Sequence, residues 1–194
     1  MVESKPKISL LICHLKKRAD TLANLMEILD IQKAVFPIGA IEILVDAHPT
    51  DSVGTKRNRL LSKASGDYVA FIDDDDRISL YYLPYLYEGI LKGVDCCSLT
   101  GEITEDGVNP LIFQHSIKYK EYKTNKHLIN PVRYERYPNH LNCIKASIAK
   151  QFKFPEINVS EDTAWATKIF NSGLIKTEHW IEDVIYYYDY RSKK

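Results

Sequence analysis

Four consecutive carboxylates, Asp73 to Asp76, close the apolar run Tyr68-Val69-Ala70-Phe71-Ile72. Adjacent like charges repel by about 1 kcal/mol per close pair even at the dielectric of water, and by more beside an apolar core, so the run calls for a positive counterpart. If extended backbone continues through it, two-residue alternation turns Asp73 and Asp75 one way and Asp74 and Asp76 the other. An Asp-x-Asp pair on one side is a natural ligand set for a hard divalent cation, which binds through one or two carboxylates and completes its shell with phosphate oxygens. A solvated acidic loop is the alternative reading. An EF-hand calcium loop is not: the sixth position from Asp73 is Ile78 where a glycine is needed, and Pro84 stands where a glutamate should close the loop.

Such a cluster has to be placed by the elements around it. The run Tyr68 to Ile72 has the length and the β-branched and aromatic content of a buried strand, and its unbroken apolarity implies cover on both faces, as in a parallel sheet. Open α/β sheets bind ligands at the C-terminal edges of their strands, which is where the four aspartates fall. Upstream, Ile8 to Cys13 reads as a first strand. Leu22, Leu25, Met26 and Leu29 mark an amphipathic helix over 19–34, Ile41 to Val45 a second strand ending in Asp46, and Thr55 to Ser65 a short helix closed by Gly66. This strand and helix alternation predicts an α/β fold with a Rossmann-like, mostly parallel sheet flanked by helices. Downstream, a helix from Ser79 to Gly93 and a fourth strand over Val94 to Leu99 are followed by a hairpin about Glu105-Asp106-Gly107. A mobile loop is expected between Lys118 and Asn139. Short elements follow at 141–144 and 146–152, then a helix from Glu161 to Asn171 with Gly173 as its cap and a last strand over Val184 to Tyr188.

Length and composition narrow the function. At 194 residues the chain suits one domain with a single core. Twenty-six basic residues balance 26 acidic ones, and no basic block exceeds Lys16-Lys17-Arg18, so nucleic acid is not an expected partner. The longest apolar runs fall far short of the ~20 residues that span a bilayer, and no signal peptide is recognised; a soluble, cytoplasmic protein without an integral membrane segment is expected. Cys13, Cys96, Cys97 and Cys143 show no CxxC spacing and read as reduced structural thiols. The 13 tyrosines cluster at 81–87, 119–137 and 186–190, fitting either a sugar-binding cleft or half-buried strand and helix faces.

Taken in order, these features resemble the family 2 glycosyltransferases of the A-type nucleotide-sugar fold. The likeness is carried by the first strand with Arg18 after it, the second strand ending in Asp46, and Gly54-Thr55-Lys56-Arg57-Asn58. GDYVAFIDDDD and Ser160-Glu161-Asp162-Thr163, opening a helix that ends in Asn171-Ser172-Gly173, complete it. The resemblance implies a single domain over 1–194, with a nucleotide-sugar-binding half over 1–100 and an acceptor-binding half over 101–194. His14 and Arg18, in the loop after the first strand, and Asp46 would hold the nucleobase. Lys56 and Arg57 would approach phosphate or base, and Asp74 would add a nucleotide contact. Asp75 would be the direct ligand of Mn²⁺ or Mg²⁺, with Asp73 on the metal or the ribose. Asp162 would be the general base, deprotonating the acceptor hydroxyl as it attacks the anomeric carbon. The rival readings are plain: Asp46 capping its own turn, Lys56 and Arg57 as surface cations, Glu161 and Asp162 as carboxylates favoured at a helix start. Relatives often carry a histidine ligand near the last strand. Here that stretch reads Val184-Ile185-Tyr186-Tyr187-Tyr188-Asp189, which leaves His179, or His140 in Asn139-His140-Leu141-Asn142, as metal candidates or as structural histidines.

The implied reaction is transfer of a hexosyl group from a nucleoside diphosphate sugar, a UDP-sugar by expectation, to a hydroxyl of a glycan, lipid-linked or other acceptor with inversion. No QxxRW motif of processive synthases occurs, favouring single transfer. Two alternatives compete. A sugar nucleotidyltransferase would need a glycine-rich first loop, and Lys7 to Arg18 contains no glycine. A non-catalytic nucleotide-sugar or carbohydrate-binding module would have no reason to retain both the acid run and Glu161-Asp162.

Overall fold

The structure is a computed structural model that describes residues 6–126 and 131–191. In chain order the elements are β1 (Ile8–Cys13), α1 (Ala19–Lys33), β2 (Ile41–Asp46), α2 (Val53–Lys63), β3 (Tyr68–Phe71), β4 (Arg77–Ile78) and α3 (Tyr82–Leu91). There follow β5 (Cys96–Cys97), β6 (Leu99–Glu105), β7 (Val108–His115), β8 (Lys123–Thr124), β9 (Val132–Arg136) and β10 (Ile144–Lys145). The last are α4 (Ala146–Ala149), α5 (Glu161–Ser172), β11 (Glu178–His179) and β12 (Val184–Tyr190). The α/β class expected from the sequence holds. The strands, however, divide between two mixed sheets, of order β11-β5-β10-β3-β1-β2 and β4-β12-β6-β7-β9-β8, where one mostly parallel sheet was expected. The reason lies in connection lengths: β6 and β7 are joined by a tight turn through Asp106 and Gly107, which permits only antiparallel pairing.

The first sheet carries the parallel unit that the sequence implied. β1 pairs in parallel with β2 on one side and β3 on the other, Ile8 facing both Ile41 and Tyr68. Strand order therefore reverses at β1, and a crevice opens beyond the C-terminal ends of β1 and β3, at His14 and the acid run. Alternation explains why β1 is apolar throughout. Ile8, Leu10 and Ile12 pack in one core with Leu25 and Leu29 of α1 and Leu83 and Leu86 of α3, whereas Leu11 and Cys13 pack in the other with Leu60 and Leu61 of α2 and Trp165 of α5. The four cysteines are free and buried.

The predicted strand over Val94 to Leu99 is split. Cys96 and Cys97 stay in the first sheet and Leu99 begins β6 in the second, with Ser98 at the crossing: its N–H donates to the carbonyl of His179 (2.9 Å) and its Oγ accepts from the N–H of Ile181 (2.7 Å). The stretch expected as a mobile loop holds β8 and β9, and its residues 127–130 lie outside the described residues. A division at residue 100 does not follow the sheets, because β10 and β11 complete the first sheet and β4 edges the second.

Asp95 fastens the far side of the first sheet. Its carboxylate accepts from Lys145 Nζ (2.9 Å) and from the backbone N–H groups of Lys176 and Thr177 (3.0 Å each). Burial alone would raise this carboxyl, but the Lys145 ion pair and the donated N–H groups outweigh it and bring it from the ordinary 3.8 to about 2. A depressed carboxyl stabilises the fold above its unfolded value and ceases to do so as pH falls through the folded one. Asp95→Asn is accordingly expected to be less stable than the parent at neutral pH, with the two urea midpoints converging as pH falls from about 4 to about 2; a stability gap independent of pH would show that Asp95 acts through something other than its charge.

Candidate active site

The acid run is met by cations drawn from three elements. Asp74, 1 % exposed, accepts from the N–H of Leu15 and from Arg18 Nη1, both at 2.8 Å, and pairs with His14 Nδ1 at 2.8 Å. Arg18 also reaches Asp75 through Nη2 at 2.8 Å, and it stands there because Lys16 to Arg18 wind into one 3₁₀ turn directly after β1. Lys56, expected near a phosphate, is buried on the inner face of α2 and donates through Nζ to the carbonyl of His14 (2.9 Å). His14, Arg18, Lys56 and Asp74 thus form one group at the end of β1.

Arg57 is buried too, so the surface-cation reading of this pair does not hold. Its Nη2 donates to Asp73 (2.9 Å) and its Nε to Glu161 (3.1 Å), while the guanidinium lies 5.1 Å from the ring centre of Phe71 and 5.9 Å from that of Phe154. It joins the end of β3 to the start of α5. The neighbouring Asn58 exchanges two hydrogen bonds of 2.9 Å with the backbone of Phe154, and Gly54 packs so closely on this segment that an added Cβ would lie 1.8 Å from the carbonyl oxygen of Pro155. The chain then turns through Ser160 in the left-handed region (φ 65°) into α5, burying Glu161 and leaving the Asp162 side chain partly open.

His140 connects the two ends of the site. Its Nε2 lies 3.6 Å from an Asp73 oxygen and its Nδ1 3.6 Å from an Asp162 oxygen, and neither nitrogen, though buried, has a hydrogen-bond partner among the described residues. The residues about it fix its place. Its carbonyl accepts from the N–H of Phe71 (3.0 Å), the side chains of Asn139 and Asn142 accept from loop N–H groups, and Asn142 Nδ2 donates to the Cys97 carbonyl. Tyr186 of β12 completes the frame, its hydroxyl donating to Asp76 (2.7 Å) and accepting from the N–H of Asp73 (3.1 Å).

The charges are unevenly balanced. Burial would raise the Asp73 carboxyl, but Arg57 and His140 hold it well below the usual carboxylate range. Asp75 is raised by burial and by the charges of Asp73 and Asp74, against the pull of Arg18. Asp76 is raised well above its ordinary value by burial and by Asp73. Asp75 and Asp76 are thus the carboxyls of the run whose charged form is least favoured.

Of two further expected residues, Asp46 lies beside the first loop, its carbonyl accepting from the N–H of His14 (2.8 Å), and His179 does not. Asp46 is buried at the end of β2, where its Oδ1 accepts from the N–H of His48 (3.0 Å) and its Oδ2 lies 3.1 Å from Arg59. This is the turn-capping arrangement, with a charge partner added. His179 is not brought to the acid run. It lies on β11, three strands from β3 and so roughly 14 Å away at the sheet spacing, and its ring nitrogens face Glu88 (3.6 Å) and Lys92 (3.1 Å) of α3. The correction follows from topology: β11 pairs with β5 at the sheet edge, away from the crevice.

Asp73, Asp76, His140 and Asp162 open into one cavity of about 630 Å³, whose other wall is a face of the second sheet including Phe113, Tyr134, Arg136, Tyr188 and Tyr190. Glu161 and Tyr186 were not singled out by the sequence reading as site residues. Glu161 could have been found as a carboxylate beside a helix start where only one of two neighbours can face water; Tyr186 carries no such signal within a tyrosine-rich strand.

A family model for glycosyl transferase family 2 matches residues 30–154, well over half of the chain. The chain belongs to that family. The matched span includes Asp46, Lys56, Arg57, the acid run and His140, and leaves His14, Arg18 and Asp162 to be judged by geometry. Among solved structures, this family 2 chain is similar to S. aureus TarS residues 1–349 in complex with UDP, at 18 % identity and TM-score 0.66 over 94 % of the chain and 60 % of TarS 1–349. The same protein in complex with UDP-GlcNAc matches at 17 % identity and TM-score 0.65 over 97 % and 60 %. The chain thus spans about 60 % of the length of these structures, and at such identity the likeness is one of fold. No curated protein sequence matches the chain.

Removing one member of a buried charge group leaves the others uncompensated, at a cost of about 3–5 kcal/mol. Arg57→Met is expected to lose that much in urea denaturation, and Arg57→Met combined with Glu161→Gln to recover part of it. A loss under about 1 kcal/mol would mean that Arg57 is dispensable to the join between β3 and α5.

Proposed function

We propose that this chain transfers a hexosyl group from a nucleoside diphosphate sugar, with UDP as the carrier, to an acceptor hydroxyl with inversion at the anomeric carbon. The observation that carries the reading is the bridge made by His140: one imidazole separates a carboxylate of the acid run from Asp162, and all three line one cavity. In the proposed mechanism Asp162 accepts the proton of the acceptor hydroxyl. The oxygen forms its bond to the anomeric carbon while the bond from that carbon to the diphosphate breaks on the opposite face. Asp162 suits this role because the start of α5 leaves its carboxylate partly open to the cavity, whereas Glu161 beside it is committed to Arg57.

A divalent cation, Mn²⁺ or Mg²⁺, would be held by carboxylate oxygens of Asp75 and Asp73. Burial disfavours the charged form of Asp75, and a cation bound there would favour it again. Among the described residues no three His, Cys, Asp or Glu side chains are placed to hold a metal by themselves, so phosphate oxygens of the donor would have to complete the shell. When bound, such an ion stabilises the charge of the departing diphosphate. Asp75 is assigned as its direct ligand, and Asp73 as a ligand of the ion or of the ribose. The nucleotide is assigned to the end of β1 and β2: His14 and Arg18 in the first loop, Asp46 on the base edge, and Lys56, Arg57 and Asp74 holding that loop against it. The presence of UDP and UDP-GlcNAc in the TarS structures of like fold supports the choice of carrier. Residues 101–194 supply most of the acceptor wall. No helix among the described residues is long and apolar enough to cross a membrane, so a lipid-linked acceptor would be met from outside the bilayer.

Release of nucleoside diphosphate from a panel of nucleotide sugars, with and without Mn²⁺, tests the reading; release of pyrophosphate, or binding without turnover, would overturn it. Asp162→Asn is expected to cut transfer by about 10² to 10⁴-fold while donor affinity in Mn²⁺ stays within a few-fold. Asp75→Ala is expected to weaken the affinity itself. Full transfer activity in Asp162→Asn would remove the base assignment.

A further inference from the structure

The arginines around the acid run are matched by carboxylates: Arg18 by Asp74 and Asp75, Arg57 by Asp73 and Glu161, Arg59 by Asp46 and Asp51. Arg136 is not built this way. It lines the same cavity as Asp162, yet it is held by carbonyls and rings. Its Nη1 donates to the backbone oxygens of Lys123 (2.7 Å) and Glu135 (3.0 Å), and its guanidinium lies 4.8 Å from the ring centre of Tyr122 and 5.3 Å from that of Tyr134. Burial lowers its hold on its proton, and the ionisable neighbours acting on it are those two phenols rather than a carboxylate. A guanidinium nevertheless remains charged, and with Nη1 occupied, Nε and Nη2 are the donors that no hydrogen bond among the described residues takes up.

Two further features of this wall point to a ligand. His115, which faces Arg136 across the β7 and β9 pairing, is 5 % exposed and its Nδ1 has no hydrogen-bond partner among the described residues. Burial and the charges of His140 and Arg136 bring its pKa to about 3, so it meets a ligand as a neutral ring. Phe113, Tyr134, Tyr188 and Tyr190 give the wall apolar ring surface suited to the faces of a sugar, and Gly101 leaves room for the Phe113 ring, which would lie 2.1 Å from an added Cβ. Tyr122 neighbours both Arg136 and Asp162, so an anion on Arg136 sits about one aromatic side chain from the proposed base.

We infer that this wall is the acceptor subsite, and that the acceptor it fits is a glycan or polyol bearing a phosphate or carboxylate close to the attacked hydroxyl, with the anionic oxygens on Arg136. The inference rests on the transferase reading for the word acceptor, but the anion site itself does not need turnover. A charge-assisted, two-point contact of this kind is among the stronger polar interactions available to a protein, and its loss costs roughly 10 to 100-fold in affinity.

The test uses matched pairs on the full chain: glycerol against glycerol 3-phosphate, and methyl glucoside against glucuronic acid. With a donor that the enzyme turns over, at least one anionic member is expected to exceed its neutral partner in kcat/KM by about tenfold or more. Arg136→Gln is expected to bring that ratio near one, chiefly through KM of the acceptor, and Arg136→Lys to keep part of it. Equal use of neutral and anionic members by the parent, or an equal loss on both in Arg136→Gln, overturns the inference. So does a shift in KM of the donor alone, which would place Arg136 on an acidic donor sugar. Binding of glycerol 3-phosphate without donor, followed by calorimetry in the parent and in both variants, separates this inference from the transferase reading. Binding that is lost in Arg136→Gln and partly kept in Arg136→Lys supports the anion site even if no donor is ever turned over, and absence of binding to the parent counts against it. Thermal unfolding of Arg136→Lys, which retains the stacked cation, confirms that a fold able to bind is being compared.

Discussion

A buried guanidinium cannot be left without its counter-charges, and that requirement fixes the geometry of this site. Arg57, 3 % exposed, has its charge balanced by Asp73 at the end of β3 and Glu161 at the start of α5, while its Nη1 has no hydrogen-bond partner among the described residues. Two opposite charges 4 Å apart attract by about 1 kcal/mol in water and about 4 kcal/mol at the effective dielectric near a protein surface, and separating either partner also strands a desolvated charge. The phenyl rings of Phe71 and Phe154 flank the guanidinium and allow it no alternative direction. Helix α5 is therefore tied to the sheet edge by its first residue. Asp162, the second, inherits its position from that tie, which is how two adjacent carboxylates come to do different work: one is consumed in holding the helix and the other is left facing the cavity.

The same accounting runs along the acid run. Asp74 is fully matched by the first loop, Asp73 is matched by Arg57, and Asp75 shares Arg18 with Asp74. Asp76 accepts from a phenol and makes no ion pair among the described residues, Arg18 acting on it only from a distance. Direct pairing with cations thus falls away along the run, and its last member lies beside the cavity. A protein that merely needed an acidic loop could have left these side chains in water. Here the first loop, α2 and β12 each contribute a partner that holds the carboxylates in place, so Asp73 and Asp76 meet whatever occupies the cavity in fixed positions.

These relations were legible in the sequence to different depths. The first five elements could be read from contiguous apolar runs and from leucines at helical spacing, because β1 and β3 are covered on both faces, β2 partly so at the sheet edge, and α1 on one. The acid run and Asp162 could be read because carboxylates at strand ends and helix starts are chemically conspicuous. The inward turn of Lys56 and Arg57 was missed although Gly54, Arg57, Leu60 and Leu61 share the three-and-four spacing of one buried face of α2. A cation on such a face requires buried partners, and that inference needs the fold. The second sheet was misjudged because strands of two residues, such as β4 and β8, leave no periodic trace, and because nothing local reveals that Ser98 passes the chain from one sheet to the other. His179 was proposed by its place in sequence near the last strand, whereas its place in the sheet is decided by the pairing of β11 with β5.

How the two sheets are set against each other then depends on very few groups. Tyr186 lies on β12, next in sheet order to β4, and its hydroxyl both receives the N–H of Asp73 and donates to Asp76. Strand β4 follows the acid run directly and pairs with β12, so Ile78 opposes Tyr186 within two residues of Asp76. The wall carrying Tyr188, Tyr190 and, across the sheet, Arg136 is consequently in register with the carboxylates through one phenol and one short strand pairing. Residues that differ in chemistry, acids on the first sheet and rings with one guanidinium on the second, are thereby held across a gap of sugar dimensions. The division of labour in the proposed reaction follows from that placement: the charged edge would stabilise the leaving group, and the aromatic face, free of the ion pairs that lock the other side, would be where a change of residue alters the acceptor without disturbing the transfer.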